Sequence, residues 1–231
     1  HMVGTSSFYA TSTIAQNCRE HAAAIFSDED LWLMPGDADL WPFKREFYRQ
    51  HLTDIKAASY YSNGDHFQSK EAVVSAADRG GEFKTLPTCH VAMKVGTWRE
   101  LYGYESTDLL RETEKTLDVW LKPKMAGKNP SDAGWEAWMS DQRILTERVC
   151  RADWFPQKAK LIPRNGHPPT DRLDRGNVQH WTGVDLATWT DAHLVRAPDE
   201  NWSIVRPLIA HYLPQHLNWA DNYREQYIAA K

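Results

Sequence analysis

Apolar residues recur at Ile14, Cys18, Ala22 and Ile25, the spacing of one helical face, and predict a helix running to about Phe26 with Ser12 or Thr13 as its N-cap. The pattern then changes. Leu31 to Met34 is a short continuous apolar run, read as a buried strand, and Pro35-Gly36 closes it with Asp37 and Asp39 at its C-terminal end. A helix or turn is expected from Phe43 to Leu52. A second strand is expected at Ala57–Ser62, closed by the turn Asn63-Gly64-Asp65. Cys89 to Val95 reads as a third strand, followed by a helix near Thr97. Leu109 to Leu121 has helical periodicity, and the Lys-, Pro- and Gly-rich segment Lys122 to Asp132 reads as a loop. Ser140 is placed to cap a helix from Asp141 to Val149. Four prolines between Pro156 and Arg175 predict a long loop or lid, and Trp202–Tyr212 and Trp219–Ala230 read as two terminal helices. Strands alternate with helices and no repeat or linker interrupts them. The expectation is therefore one α/β domain over residues 1–231, a sandwich with one main sheet.

Composition narrows the function classes. The chain is 42% hydrophobic and 25% charged, a globular balance, and its net charge of −4 argues against broad binding to nucleic acid or anionic membrane. Cys18, Cys89 and Cys150 lie far apart without a CxxC pair, and read as free thiols of a reducing compartment. No apolar run approaches the ~18 residues that span a bilayer, so a soluble, cytoplasmic protein with no transmembrane segment is expected. The eleven tryptophans suit core packing, although exposed aromatic faces also stack on sugars.

Asp37 and Asp39 carry the candidate chemistry. Two carboxylates at i and i+2 of a strand point the same way and reach one hard cation. At the C-terminal edge of an α/β sheet, such an ion leaves open positions that a diphosphate fills. The competing reading is a turn in which an aspartate caps a backbone N–H.

The stretch QNCREHAAAIFSDEDLWLMPGDADLWPF resembles the helix, strand and DxD element of GT-A glycosyltransferases, in particular the small nucleotide-sugar transferases of large algal viruses and their cellular relatives. LPTCHVAMKVGTWREL (86–101) resembles the family's strand and helix after the DxD, and WMSDQRILTE (138–147) its segment with an acid at a helix start. The likeness spans roughly residues 12–150. It implies a GT-A, Rossmann-like α/β/α sandwich with a mainly parallel central sheet, Mn²⁺ or Mg²⁺ as cofactor, and a nucleoside-diphosphate sugar, UDP-sugar favoured, as donor. The acceptor would be a hydroxyl of a glycan or glycoprotein. Only 36 residues precede Asp37, fewer than that family's first strand and base pocket use, so the N-terminal nucleotide-binding part is expected to be short or missing.

Carried over by position, Asp37 and Asp39 hold the metal, and His193 in TDAHLVR adds a neutral imidazole ligand. Asp141 is the candidate catalytic base or sugar-orienting group, with Gln142 beside it. His90 is a candidate sugar contact and Arg19 a candidate phosphate contact. Each has a structural alternative: a helix-start carboxylate for Asp141, a core histidine for His90, a surface ion pair for Arg19, a strand histidine for His193. Arg164, His167, Arg172 and Arg175 are placed to close over a diphosphate or simply to be solvated. Two other functions remain open: a metal-dependent phosphohydrolase or nucleotidyltransferase, and a non-catalytic carbohydrate-binding module.

Overall fold

The first apolar stripe forms α1 (Thr11–Cys18), but the chain then tightens into a 3-10 segment, Arg19–Ile25. Buried pairs three residues apart, Glu20 with Ala23 and His21 with Ala24, match that segment's three-residue turn. The computed structural model describes residues 6, 8–62, 86, 88–126, 134–164, 171–176, 181, 185–195 and 201–230. The expected Asn63-Gly64-Asp65 turn and His167 lie outside the described residues.

Among the described residues two hydrophobic cores organise the chain, and its contacts divide it into two compact units. Unit 1 comprises His1–Gly36 and His51–Pro163; unit 2 comprises Asp37–Gln50 and Arg164–Lys231. In unit 1, β1 (Trp32–Leu33), β3 (Ala57–Ser62), β4 (Val91–Lys94) and β5 (Ala159–Arg164) form a sheet in the order β1-β4-β3-β5. Among the described residues, α1 is joined in this unit by α3 (Val95–Tyr102), α4 (Leu109–Trp120), α5 (Gly134–Trp138) and α6 (Ser140–Arg151). Asp108 caps α4 by accepting from the N–H groups of Leu110 and Arg111. Gly103 ends α3 at φ 59°, a left-handed position that a side chain rarely tolerates. Trp98, Leu117, Leu121 and Leu145 fill the core.

Unit 2 holds a three-stranded sheet in the order β2-β7-β6, formed by β2 (Leu40–Pro42), β6 (Arg172–Asp174) and β7 (Asp191–His193). α2 (Arg45–Arg49), α7 (Trp202–Tyr212) and α8 (Leu217–Ala229) complete it. Its core joins Leu173, Ala192 and Leu194 to Val205, Leu208 and Ile209 of α7. No helix among the described residues is long and apolar enough to cross a membrane.

The architecture is mixed α/β, with two small sheets where one main sheet was expected. β1 with β4, β3 with β4 and β2 with β7 pair antiparallel, and only β6 with β7 is a parallel pair among the described registers. A single, mainly parallel GT-A sandwich is not confirmed by these pairings. Between β1 and β2 run only six residues, Met34 to Asp39, too few for the helical crossover that a parallel pair requires. The expected loop over 156–175 contains strands β5 and β6 instead. β5 sits at the end of its sheet order. His90, expected on a strand, belongs to the 3-10 turn Thr88–His90.

Unit 1 also buries charge. Glu20 is enclosed and accepts from the Tyr102 hydroxyl at 2.5 Å; burial first, then the Asp141 charge, pushes its carboxyl well above the usual range. His21 has no exposed surface, packs against Tyr102 and Tyr104 at 5.0 and 5.4 Å, and is lowered by burial from 6.5 to about 3. Between those two pH values the unfolded chain binds a proton at His21 and the folded chain does not, so stability falls as pH drops below 6.5. At pH 5 this amounts to about 2 kcal/mol. Glu20 has the opposite slope, but it is common to wild type and His21→Leu. Urea unfolding at pH 7 and pH 5 should therefore show an acid loss smaller by about 2 kcal/mol in His21→Leu. Equal losses would mean that His21 titrates normally in the folded protein.

Candidate metal centre

Asp37 and Asp39 come together through a turn rather than a pleat. The N–H of Leu40 donates to the carbonyl of Asp37 at 3.0 Å, closing a four-residue turn that leads into β2. The pair therefore stands at the entrance of β2, not at the C-terminal edge of β1. Leu40 is in register with His193, and the N–H of Leu194 donates to the Asp39 carbonyl at 2.7 Å. This pairing delivers His193, at the end of β7, to the aspartates. Ligand atoms of Asp37, Asp39 and His193 all lie within 4.8 Å of one another, and all three residues are half-buried.

His193 Nε2 is 3.5 Å from Asp39 Oδ2, while its Nδ1 is 3.7 Å from Asp174 Oδ2. Arg175 donates to Asp39 Oδ2 at 2.6 Å. Asp174 is held below the usual carboxylate range, chiefly by His193 and also by the Gly176 N–H, which outweigh burial. Three carboxylates and one guanidinium thus surround the imidazole. Donors bound to one ion at about 2.1 Å stand about 3–4 Å apart, so a small contraction closes this set on a cation. Two carboxylates with one imidazole suit Mn²⁺ well and accept Mg²⁺ or Zn²⁺.

Beneath the site lies a buried ion cluster. Asp191, two residues before His193 on β7, has no exposed surface and accepts from Arg164 at 2.7 and 3.2 Å, from Arg172 at 2.8 and 3.1 Å and from the Tyr48 hydroxyl at 2.6 Å. Arg164 and Arg172 were candidates for a diphosphate; both engage Asp191. Arg175 meets a member of the candidate cation cluster. Sequence reasoning missed Asp174 and Asp191. The signal was present: both are acids in short alternating segments, RLD and DAH.

The other candidates lie in unit 1. Asp141 is fully buried at the start of α6 and accepts from Gln142 N at 2.7 Å, from Gln16 Nε2 at 2.9 Å and from Arg19. Burial raises its carboxyl and Arg19 opposes that rise. Arg19 and Asp141, expected to touch phosphate and sugar, therefore pair with each other. The Gln142 carbonyl accepts from Thr146 Oγ1, and His90 is buried with Nδ1 3.2 Å from Cys89 Sγ. The structure brings together the three proposed metal ligands and sets Asp141, Gln142, His90 and Arg19 in the other unit.

Comparison of the chain with protein-family models, with curated proteins and with solved structures finds no match. What remains is the chemistry of the cluster and the resemblance of the segment that carries Asp37 and Asp39. Asp191→Ala should cost about 3–5 kcal/mol by leaving two arginines facing an emptied buried site. Chemical denaturation measures this, and a loss under 1 kcal/mol would show that the cluster does not hold β7 in place.

Proposed function

We propose that the protein is a metal-dependent glycosyltransferase in which Asp37, Asp39 and His193 hold Mn²⁺ or Mg²⁺ beside the diphosphate of a nucleoside-diphosphate sugar, a UDP-sugar being favoured. The observation that carries this is the convergence of a distant histidine on the DxD pair through the β2–β7 register. The resemblance of the DxD segment supplies the reaction class: transfer of the sugar to a hydroxyl of a glycan or glycoprotein. A GT-A sandwich and a cytoplasmic setting belong to the same reading.

When bound, the ion neutralises charge that builds on the departing nucleoside diphosphate. The protein's own groups do the rest. Asp37 and Asp39 supply two negative charges, and the neutral His193 imidazole adds a ligand without adding charge. Asp39 is 41% exposed and His193 20%, so solvent or a diphosphate reaches the centre while its base stays fixed. Arg175, ion-paired with Asp39, sets a guanidinium beside the cluster, a group suited to phosphate oxygens.

Asp39→Ala breaks a half-exposed ion pair worth about 0–1 kcal/mol, so the fold should survive. Calorimetry should detect UDP binding to wild type only with Mn²⁺ present, and at least about tenfold weaker binding to the variant, the loss of one charged ligand contact. Equal binding by both proteins, or UDP binding that ignores Mn²⁺, would overturn the proposal.

A further inference from the structure

We infer that Asp174 is a positioning residue: it fixes the ring orientation and tautomer of His193 so that the Nε2 lone pair faces Asp37 and Asp39. The inference rests on the metal reading only for its purpose; the tautomer is a property of the metal-free protein.

His193 occupies the central strand of its sheet, with an acid-bearing neighbour on each side. β2 presents Asp39 next to Nε2, and β6 presents Asp174, which is in register with His193, next to Nδ1. A neutral imidazole carries one N–H, so it donates to one of these carboxylates and turns a lone pair to the other. What decides between them is how each carboxylate is already engaged. Asp39 Oδ2 accepts from Arg175 at 2.6 Å, so its charge is met. Asp174 spends Oδ1 on the N–H of Gly176 at 2.8 Å, and its Oδ2 is the oxygen turned to Nδ1. Asp174 is also the less exposed acid, at 23% against 41%. Its backbone is pinned in turn, because Trp181 Nε1 donates to its carbonyl at 3.1 Å. Gly176 keeps the turn tight: a Cβ there would stand 3.1 Å from Asp174 Oδ1.

At 3.7 Å the Nδ1–Asp174 contact is longer than a hydrogen bond, and a small rotation of the ring closes it with the N–H on Nδ1. Nε2 is left as a lone pair facing two carboxylates, an arrangement that is repulsive by itself and favourable around a cation. A carboxylate that holds a ligating histidine in this way also raises its basicity, and its loss typically weakens metal binding 10–100-fold.

Asp174→Asn separates this role from a structural one. An asparagine offers one acceptor oxygen where the aspartate uses two. If the oxygen stays on Gly176 N–H, the amide NH₂ faces Nδ1 and the proton moves to Nε2. Long-range ¹⁵N–¹H NMR of the metal-free protein at pH 8, with His193 assigned by comparison with His193→Gln, reads the tautomer directly. Wild type should show the proton on Nδ1 and Asp174→Asn should show it on Nε2. Mn²⁺ affinity, read from the EPR signal of free Mn²⁺, should fall about 10–100-fold in the variant while the melting temperature stays near wild type. A wild-type proton on Nε2, or a tautomer unmoved by Asp174→Asn, overturns the inference. Should the variant fail to fold, the wild-type spectrum alone still decides. Should wild type carry the Nδ1 proton yet bind no Mn²⁺, the positioning stands and the metal reading falls.

Discussion

A carboxylate with no exposed surface fixes the strand on which the site depends. Asp191 accepts from two guanidiniums and a phenol, and these come from α2, from Arg164 and from β6. Leaving such a charge unpaired would cost several kcal/mol, so β7 has one workable register. A slip by one residue would turn Asp191 outward and carry His193 to the opposite face of the sheet. Alternation along β7 therefore couples a buried anchor to a half-exposed ligand two residues on. Stability of unit 2 and assembly of its candidate cation site are in this sense one problem.

Charged groups divide by exposure. In unit 1, Glu20, Asp141 and His21 are enclosed, and their titration is shifted by burial above all. Asp141 spends its acceptor capacity on Arg19, Gln16 and a backbone amide, and this suits it to holding α6 against the segment after α1. In unit 2, Asp37, Asp39, Asp174, Arg175 and His193 remain within reach of solvent. Ligand chemistry favours the second group, which solvent reaches.

The sequence made the grouping of Asp37, Asp39 and His193 legible for a chemical reason and misjudged its geometry for a topological one. An acid pair after a Pro-Gly break, together with a histidine near the C-terminus, suggests cation ligands by residue type alone. That the pair lies in a turn entering β2 depends on a pairing with β7, which no local pattern reveals. β6 was hidden because three residues within a proline-rich stretch carry too little periodicity. The division into two units is equally non-local, since Asp37–Gln50 packs with residues more than a hundred positions later. Asp141 stands at a helix start, where the sequence placed it as a candidate catalytic group; its partner Arg19 belongs to another helix, so the pairing was invisible. Tryptophan shows the same limit: Trp98 is buried at 1% exposure, while Trp138 and Trp219 are 62% and 66% exposed.

The proposed cation site of Asp37, Asp39 and His193 is open to direct observation. Anomalous diffraction from crystals soaked in Mn²⁺, recorded on both sides of the manganese edge, locates bound metal without reference to activity. The account predicts a peak about 2.0–2.3 Å from a carboxylate oxygen of Asp39 and from His193 Nε2, with Asp37 as a direct or water-bridged ligand. A Mn²⁺ peak elsewhere on the molecule, with Arg175 still closed on Asp39, would contradict it.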